Sequence, residues 1–316
     1  MILEAGATAV GKGRAEVPRL GAARRRHGED LVKALLVIAA LVSVLTTTGI
    51  VLSLVGETIE FFGEVGVGEY LLGTKWTPLF EPASFGVLPL VAGTFLVTGI
   101  AMLVAIPLGL AAAIYLSEYA GARVRKTIKP VLELLAGVPT VVFGYFALTF
   151  FTPEILRGIG VEVGIFNALS AGIIVGFLIV PTVASISEDA MTAVPASLRE
   201  GAFGLGASKL QVTLRVVFPA ALSGIVASIV LGVSRAVGET MVVLIAAGLQ
   251  PYWGADPREP AATMTAFIGA TAKGDVATGS TAYKTIFAVG TTLFVITLVM
   301  NLISIRFVRR YRQVYE

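Results

Sequence analysis

The sequence predicts an all-α, polytopic membrane protein built as a bundle of six transmembrane helices. Three observations carry that prediction. Only 14% of the 316 residues are charged and 56% are apolar, against roughly 25% charged in a soluble domain. So few polar side chains cannot coat a water-soluble globule of this size, and the mean hydropathy of +0.86 agrees. The apolar residues gather in six runs, each reaching the ~17–25 residues that a spanning helix needs. Finally, Lys and Arg concentrate in alternate loops. Together these exclude a soluble enzyme, a nucleic-acid-binding protein and a disordered chain. Cysteine is absent, which removes disulfides, thiol catalysis and thiolate metal sites. The single histidine, His27, lies in a polar N-terminal segment, so histidine chemistry is unavailable inside the membrane.

Residues 1–30 read as a cytoplasmic basic tail ending in Arg24, Arg25 and Arg26. Residues 6–13 approach a phosphate-cradling loop. Gly13 stands where a magnesium-binding Ser or Thr is required, and no apolar strand precedes it, so chance in a glycine-rich tail accounts for the match. The first span is 31–55, about 37 Å long at the helical rise and too long for a cleaved signal peptide. Residues 56–86 form an acidic extracytoplasmic segment carrying Trp76. A core of five spans fills 87–308, with runs at 87–116, 128–151, 165–186, 219–248 and 284–308, and a short tail follows at 309–316. Pro107, Pro139, Pro181 and Pro219 lie in or open spans two to five, and Pro139 with Gly137 predicts a kink or a close helix contact. With both termini inside, eighteen of the 24 Lys and Arg residues fall on the cytoplasmic side and five outside, leaving Arg235 within the membrane. The outer segments 56–86 and 249–283 are either docking surfaces or plain connections with aromatic anchors. No internal repeat of the kind that builds inverted-repeat transporters is visible.

The most informative segment is the loop 187–218. Pro195 suits a first helical turn, residues 196–202 continue that helix, and Gly204 and Gly206 suit its end and a sharp turn. A second helix over 208–217 then leads to Pro219 and back into the bilayer. The result is a short helix across the cytoplasmic face, held between two spans. Within it stand Glu200, Gly201 and Ala202, then three residues, Gly206, nine residues, Val216, Val217, Phe218 and Pro219.

That pattern resembles the loop of ABC importer permeases, which reads E-A-A, three residues, G, nine residues, I, one residue, L-P. Gly201 replaces Ala, Val216 replaces Ile and Phe218 replaces Leu. The resemblance implies a type I ABC importer permease-like fold whose coupling helix docks on a separate ATPase. Glu200 would meet that ATPase and Gly206 would permit the turn, with Leu198, Arg199, Gly201, Ala202 and Pro219 in the same element. The stretches 85–98, 130–148 and 231–248 resemble the phosphate-specific branch, and its PstC-type subunit more than its PstA type. This implies passage of inorganic phosphate with four partners: a second permease of PstA type, ATPase subunits of PstB type, an extracytoplasmic phosphate-binding protein of PstS type, and the cell inner membrane. No cofactor is expected on this chain; ATP and magnesium would sit on the ATPase.

Arg235 lies near the middle of the fifth span, where an arginine costs ~2.5–3.5 kcal/mol on permissive insertion scales. Glu239 is four residues on, so an unbroken helix would put the two on one face as an ion pair. They either neutralise each other or line the substrate pathway with Ser234 beside them, Arg235 offering its fork of N–H donors to phosphate oxygens. Glu133, one turn into the third span, is either a pathway residue or a carboxylate placed favourably near a helix N-terminus. Glu118, Glu188 and Asp189 are expected to be solvated at the cytoplasmic face. Three alternatives stay open: a permease for another oxyanion such as sulfate or molybdate, a proton-coupled secondary transporter using Glu133 or Glu239, and an intramembrane enzyme, for which only Ser/Lys or carboxylate chemistry remains within the spans.

Overall fold

The computed structural model describes residues 27–274 and 276–311. The expected basic tail lies outside the described residues up to position 26, as does the C-terminal tail beyond 311. The chain divides into two compact units, Met1–Val51 and Leu52–Glu316. The described part of the first is helical, with Leu31, Leu36 and Leu45 among its exposed apolar side chains.

Helices in chain order are α1 (His27–Glu64), α2 (Val67–Leu72), α3 (Leu88–Ile114), α4 (Ala122–Ala136), α5 (Thr140–Phe146), α6 (Ala168–Thr192), α7 (Ala196–Gly204), α8 (Lys209–Val212), α9 (Phe218–Ala220), α10 (Leu222–Val237), α11 (Met241–Ala246), α12 (Met264–Lys273) and α13 (Thr281–Tyr311). Wider π-helical turns extend α3 over Tyr115–Tyr119 and α5 over Ala147–Leu156, and bridge α8 to α9 over Thr213–Val217. Among the described residues there are no β-strands, only the isolated bridges Trp76–Phe85 and Gly248–Ala261. Among the described residues, four helices are long and apolar enough to cross a bilayer outright. Two bent pairs bring the number to six if each pair is one span.

Both bent pairs change the expected spans. The run 128–151 is not one rod: Ala122–Ala136 and Thr140–Leu156 meet at 85°. Pro139 lacks the N–H that would bond Leu135 and disfavours helical backbone at Val138, so Gly137 to Pro139 turn the chain. The amphipathic α4 therefore leaves the axis of the span. The run 219–248 breaks twice. Lys209–Ala220 meets Leu222–Val237 at 70°, and α10 stops at Val237 with α11 resuming at Met241. The first helix also continues to Glu64, beyond the apolar run that ends at Val55.

Within the second unit, α3 and α6 pack back to back. A Cβ on Gly176 would lie 2.8 Å from the Ala101 carbonyl, and one on Gly172 would lie 2.7 Å from Ile100 Cβ. Glycines one helical turn apart thus let two spans approach more closely than any side chain allows. Val97, Ala101, Ala105, Ala171, Val175 and Ile179 are buried in the core around that contact. Another cluster joins Phe61, Tyr70, Trp76 and Phe267, whose rings meet edge to face. Gly73 and Gly86 touch backbone to backbone here, so a Cβ on Gly86 would lie 2.2 Å from the Gly73 carbonyl carbon.

Candidate functional site

The loop helix α7 opens after Pro195, whose fixed φ of −56° precedes a first turn that needs no N–H from it. It ends because Gly206 takes φ +82°, a conformation that costs a side chain dearly and glycine nothing. Ser208 then starts α8 with a reciprocal capping box: its hydroxyl accepts from Gln211 N–H, and Gln211 Oε1 accepts from Ser208 N–H. Glu200, Gly201, Phe203 and Leu205 are exposed, Leu205 at 92%. Leu198 is just exposed, Ala202 is half-buried, and Pro219 is exposed near the second bend. Arg199 points the opposite way from its neighbours. It donates to the Met191 carbonyl at 2.7 Å and to Glu118 Oε1 at 3.1 Å, and also to the Val194 carbonyl.

The break at Gly238 to Thr240 decides the intramembrane charges, and it separates the expected pair. Arg235 and Glu239 form no ion pair among the described residues. Arg235 lies in the last turn of α10, where the helix end favours a cation. Its Nη1 donates to Thr182 Oγ1 on α6 at 2.9 Å. Glu239 is 8% exposed and its Oε1 accepts from the backbone N–H groups of Met241 and Val242. Each charge is thus offset by a helix end rather than by the other. Ser234 faces α13, its hydroxyl donating to Asn301 Oδ1 at 3.3 Å. Broken spans with polar groups at the break are a recurring way to build an ion site in a bilayer.

The acids expected to be solvated are corrected in part. Glu188 is fully buried; Arg125 pairs with it, Lys129 Nζ donates to it at 2.8 Å, and Thr192 donates from one turn on. Glu118 is half-buried, its side chain turned against Arg199. Asp189 is exposed and takes a second bond from Lys129. Glu133 is exposed and lines a cleft of about 720 Å³ with Lys126, Lys129 and Ser117. Thr182, Glu118 and Glu188 were not singled out as site residues. Thr182 follows Pro181 at the level of Arg235, and both acids face the cation-rich segments at 123–129 and 199, so charge complementarity across the loops was the available signal.

The family model described as the binding-protein-dependent transport system inner membrane component matches residues 105–313. The chain is 34% identical to the probable ABC transporter permease protein YqgH of Bacillus subtilis, over 94% of this chain and 96% of the relative. It is 30% identical to the phosphate transport system permease protein PstC of Haemophilus influenzae, over 90% and 94%. In fold it is similar to a chain of a bacterial ABC transporter that imports alginate, with a TM-score of 0.63 at 17% identity, over 90% of this chain and 99% of that one. The chain belongs to the binding-protein-dependent inner membrane components, the permease subunits of ABC importers, and among them to the PstC type.

Proposed function

We propose that this chain passes inorganic phosphate across the inner membrane as one half of an ATP-driven importer. As an ABC permease it is a multi-pass transport subunit and not an enzyme, working with an ATPase and a periplasmic binding protein. Its finer partners are a PstA-type permease, PstB-type ATPase subunits that hold ATP and magnesium, and a PstS-type phosphate-binding protein. Both termini and α7 lie on the cytoplasmic side, in keeping with the distribution of Lys and Arg. The exposed face of α7, with Glu200 and Leu205, meets the ATPase.

The observation that carries the substrate reading is Arg235. It is half-buried inside a span, bonded to a neutral hydroxyl and unpaired with any carboxylate among the described residues. Its remaining guanidinium donors suit tetrahedral oxyanions. Glu239, held by the backbone N–H groups of Met241 and Val242 beside the pathway, weakens anion retention, so that phosphate leaves. Reconstituted with its partners, Arg235→Ala should lower ATP-dependent phosphate uptake at least about tenfold while the ATPase stays assembled. Normal uptake removes Arg235 from the mechanism. Sulfate competing equally with phosphate points to a broader oxyanion permease. Uptake without ATP that collapses with the proton gradient points to a secondary transporter.

A further inference from the structure

Arg199 sits next to Glu200 in the loop, yet it faces the bundle. Its side chain is 19% exposed and its partner Glu118 is 8% exposed. The bonds to the Met191 and Val194 carbonyls add to the cap at the end of α6, where Met191 O also accepts from Val194 N–H, and would hold Arg199 on their own. Glu118 is unnecessary for that. It belongs to the π-helical turn that ends α3 and is separated from Arg199 by 81 residues of chain. A second cation of the loop converges on the same turn: Lys209 Nζ stands 4.9 Å from the centre of the Tyr119 ring. Ser117 of that turn reaches Met191 Sδ at 3.4 Å.

The covalent chain already joins α7 to α6 through residues 193–195, and to α10 through 205–221. It does not join α7 to α3. The Arg199–Glu118 pair supplies that link for α7, and the Lys209–Tyr119 contact ties the following helix, α8, to the same turn. A part-buried ion pair makes a stiff link, because separating the partners leaves two charges held largely out of water without a partner. Beyond the turn, α3 lies on α6 with backbone against side chain at Gly172 and Gly176, and α6 carries the Thr182 that holds Arg235.

We propose that Arg199 and Glu118 are positioning residues for transport: the pair carries the displacement of α7 into α3, so that α3 and α6 move as one body around Arg235. This deepens the reading of α7 as the coupling helix and rests on it. Arg199 is thereby reassigned from the ATPase surface to the interior side of the lever.

The test uses the reconstituted importer with Glu118→Gln, Arg199→Ala and the double variant, read by ATPase co-purification, ATP hydrolysis and phosphate taken up per ATP hydrolysed. Each single variant should keep the ATPase bound and hydrolysing, and lower uptake per ATP about tenfold. The double variant should lose no more than the worse single one, since both remove one contact. Unchanged uptake per ATP in Glu118→Gln overturns the proposal, as do losses that multiply in the double variant or release of the ATPase by Arg199→Ala. If Glu118→Gln fails to insert, Glu118→Asp gives the same reading with a smaller loss, and wild-type uptake per ATP in it counts against the pair. Glu200→Arg runs in parallel. Full retention of the ATPase there overturns the coupling-helix reading, whereas loss of the ATPase there with normal coupling in Glu118→Gln overturns only the relay.

Discussion

The two ends of the bundle hold their charges in opposite ways. At the loop end the acids are interior: Glu188 and Glu118 have 1% and 8% of their side chains exposed, and the cations Arg125, Lys129 and Arg199 reach in from α4 and α7. At the other end the cation is interior. Lys284 is 11% exposed and bridges Glu60 and Glu64, whose side chains are 64% and 42% exposed. An exposed carboxylate that loses its partner is solvated by water, whereas a buried one is not. The loop end is therefore a set of clamps that each tie a peripheral helix to a span. The opposite end is a solvated fastening that tolerates change.

The sharpest way to break that contrast is Glu188→Ala. It removes the shared partner of two cations and a bond from Thr192, and frees α4 from α6. We expect a loss of about 3 kcal/mol, the low end for an opened buried pair because both cations keep some contact with water. Thermal unfolding of the purified protein in detergent measures it. A midpoint equal to wild type would mean that Glu188 is a passive charge and that α4 is held by its apolar contacts alone.

That clamp was poorly legible in the sequence, and the reason is physical. Span number, the sharp stop at Gly206 and the course of α7 follow from local rules of hydropathy and backbone geometry, which a sequence displays. Ion pairing across loops depends on which helix ends meet, which it does not display. Glu188 and Glu118 thus read as solvated acids at a membrane face. The ion pair expected between Arg235 and Glu239 is absent among the described residues for a related reason. Their spacing makes an ion pair only in an unbroken helix, and the three residues from Gly238 to Thr240 convert one long span into two helix ends that accommodate each charge separately. Glycine followed by two polar residues inside an apolar run was the available sign of that break. The kink at Gly137 to Pro139 was legible, because proline acts on its own neighbours.

Lys284→Ala tests the other side of the comparison. Its loss should be well below half that of Glu188→Ala in the same unfolding measurement, because Glu60 and Glu64 regain water. The difference from wild type should shrink as salt is raised, since exposed partners are screened. A loss as large as that of Glu188→Ala, insensitive to salt, would erase the distinction between the two ends.

The smallest effect concerns Asp256, in the turn that meets the start of α6. Bonds from the Arg258 side chain, and then from its backbone N–H, pull the Asp256 carboxyl from its ordinary 3.8 to about 2. That turn supplies carbonyls at Pro257 and Glu259, which accept from Leu169 and Ala168 N–H at 2.7 and 3.0 Å, two donors that the first turn of a helix leaves open. A depressed carboxyl stabilises the fold above its ordinary value, and that contribution disappears as pH falls through about 2. Asp256→Asn should therefore raise amide hydrogen exchange at 168–169 relative to wild type at pH 5, and the two proteins should converge as pH approaches 2. Because the pair is exposed, the change should stay confined to those amides and leave the unfolding midpoint in place. Equal exchange in the two proteins at pH 5 would mean that the turn is set by Pro257 and Pro260 and needs no ion pair to hold its carbonyls over α6.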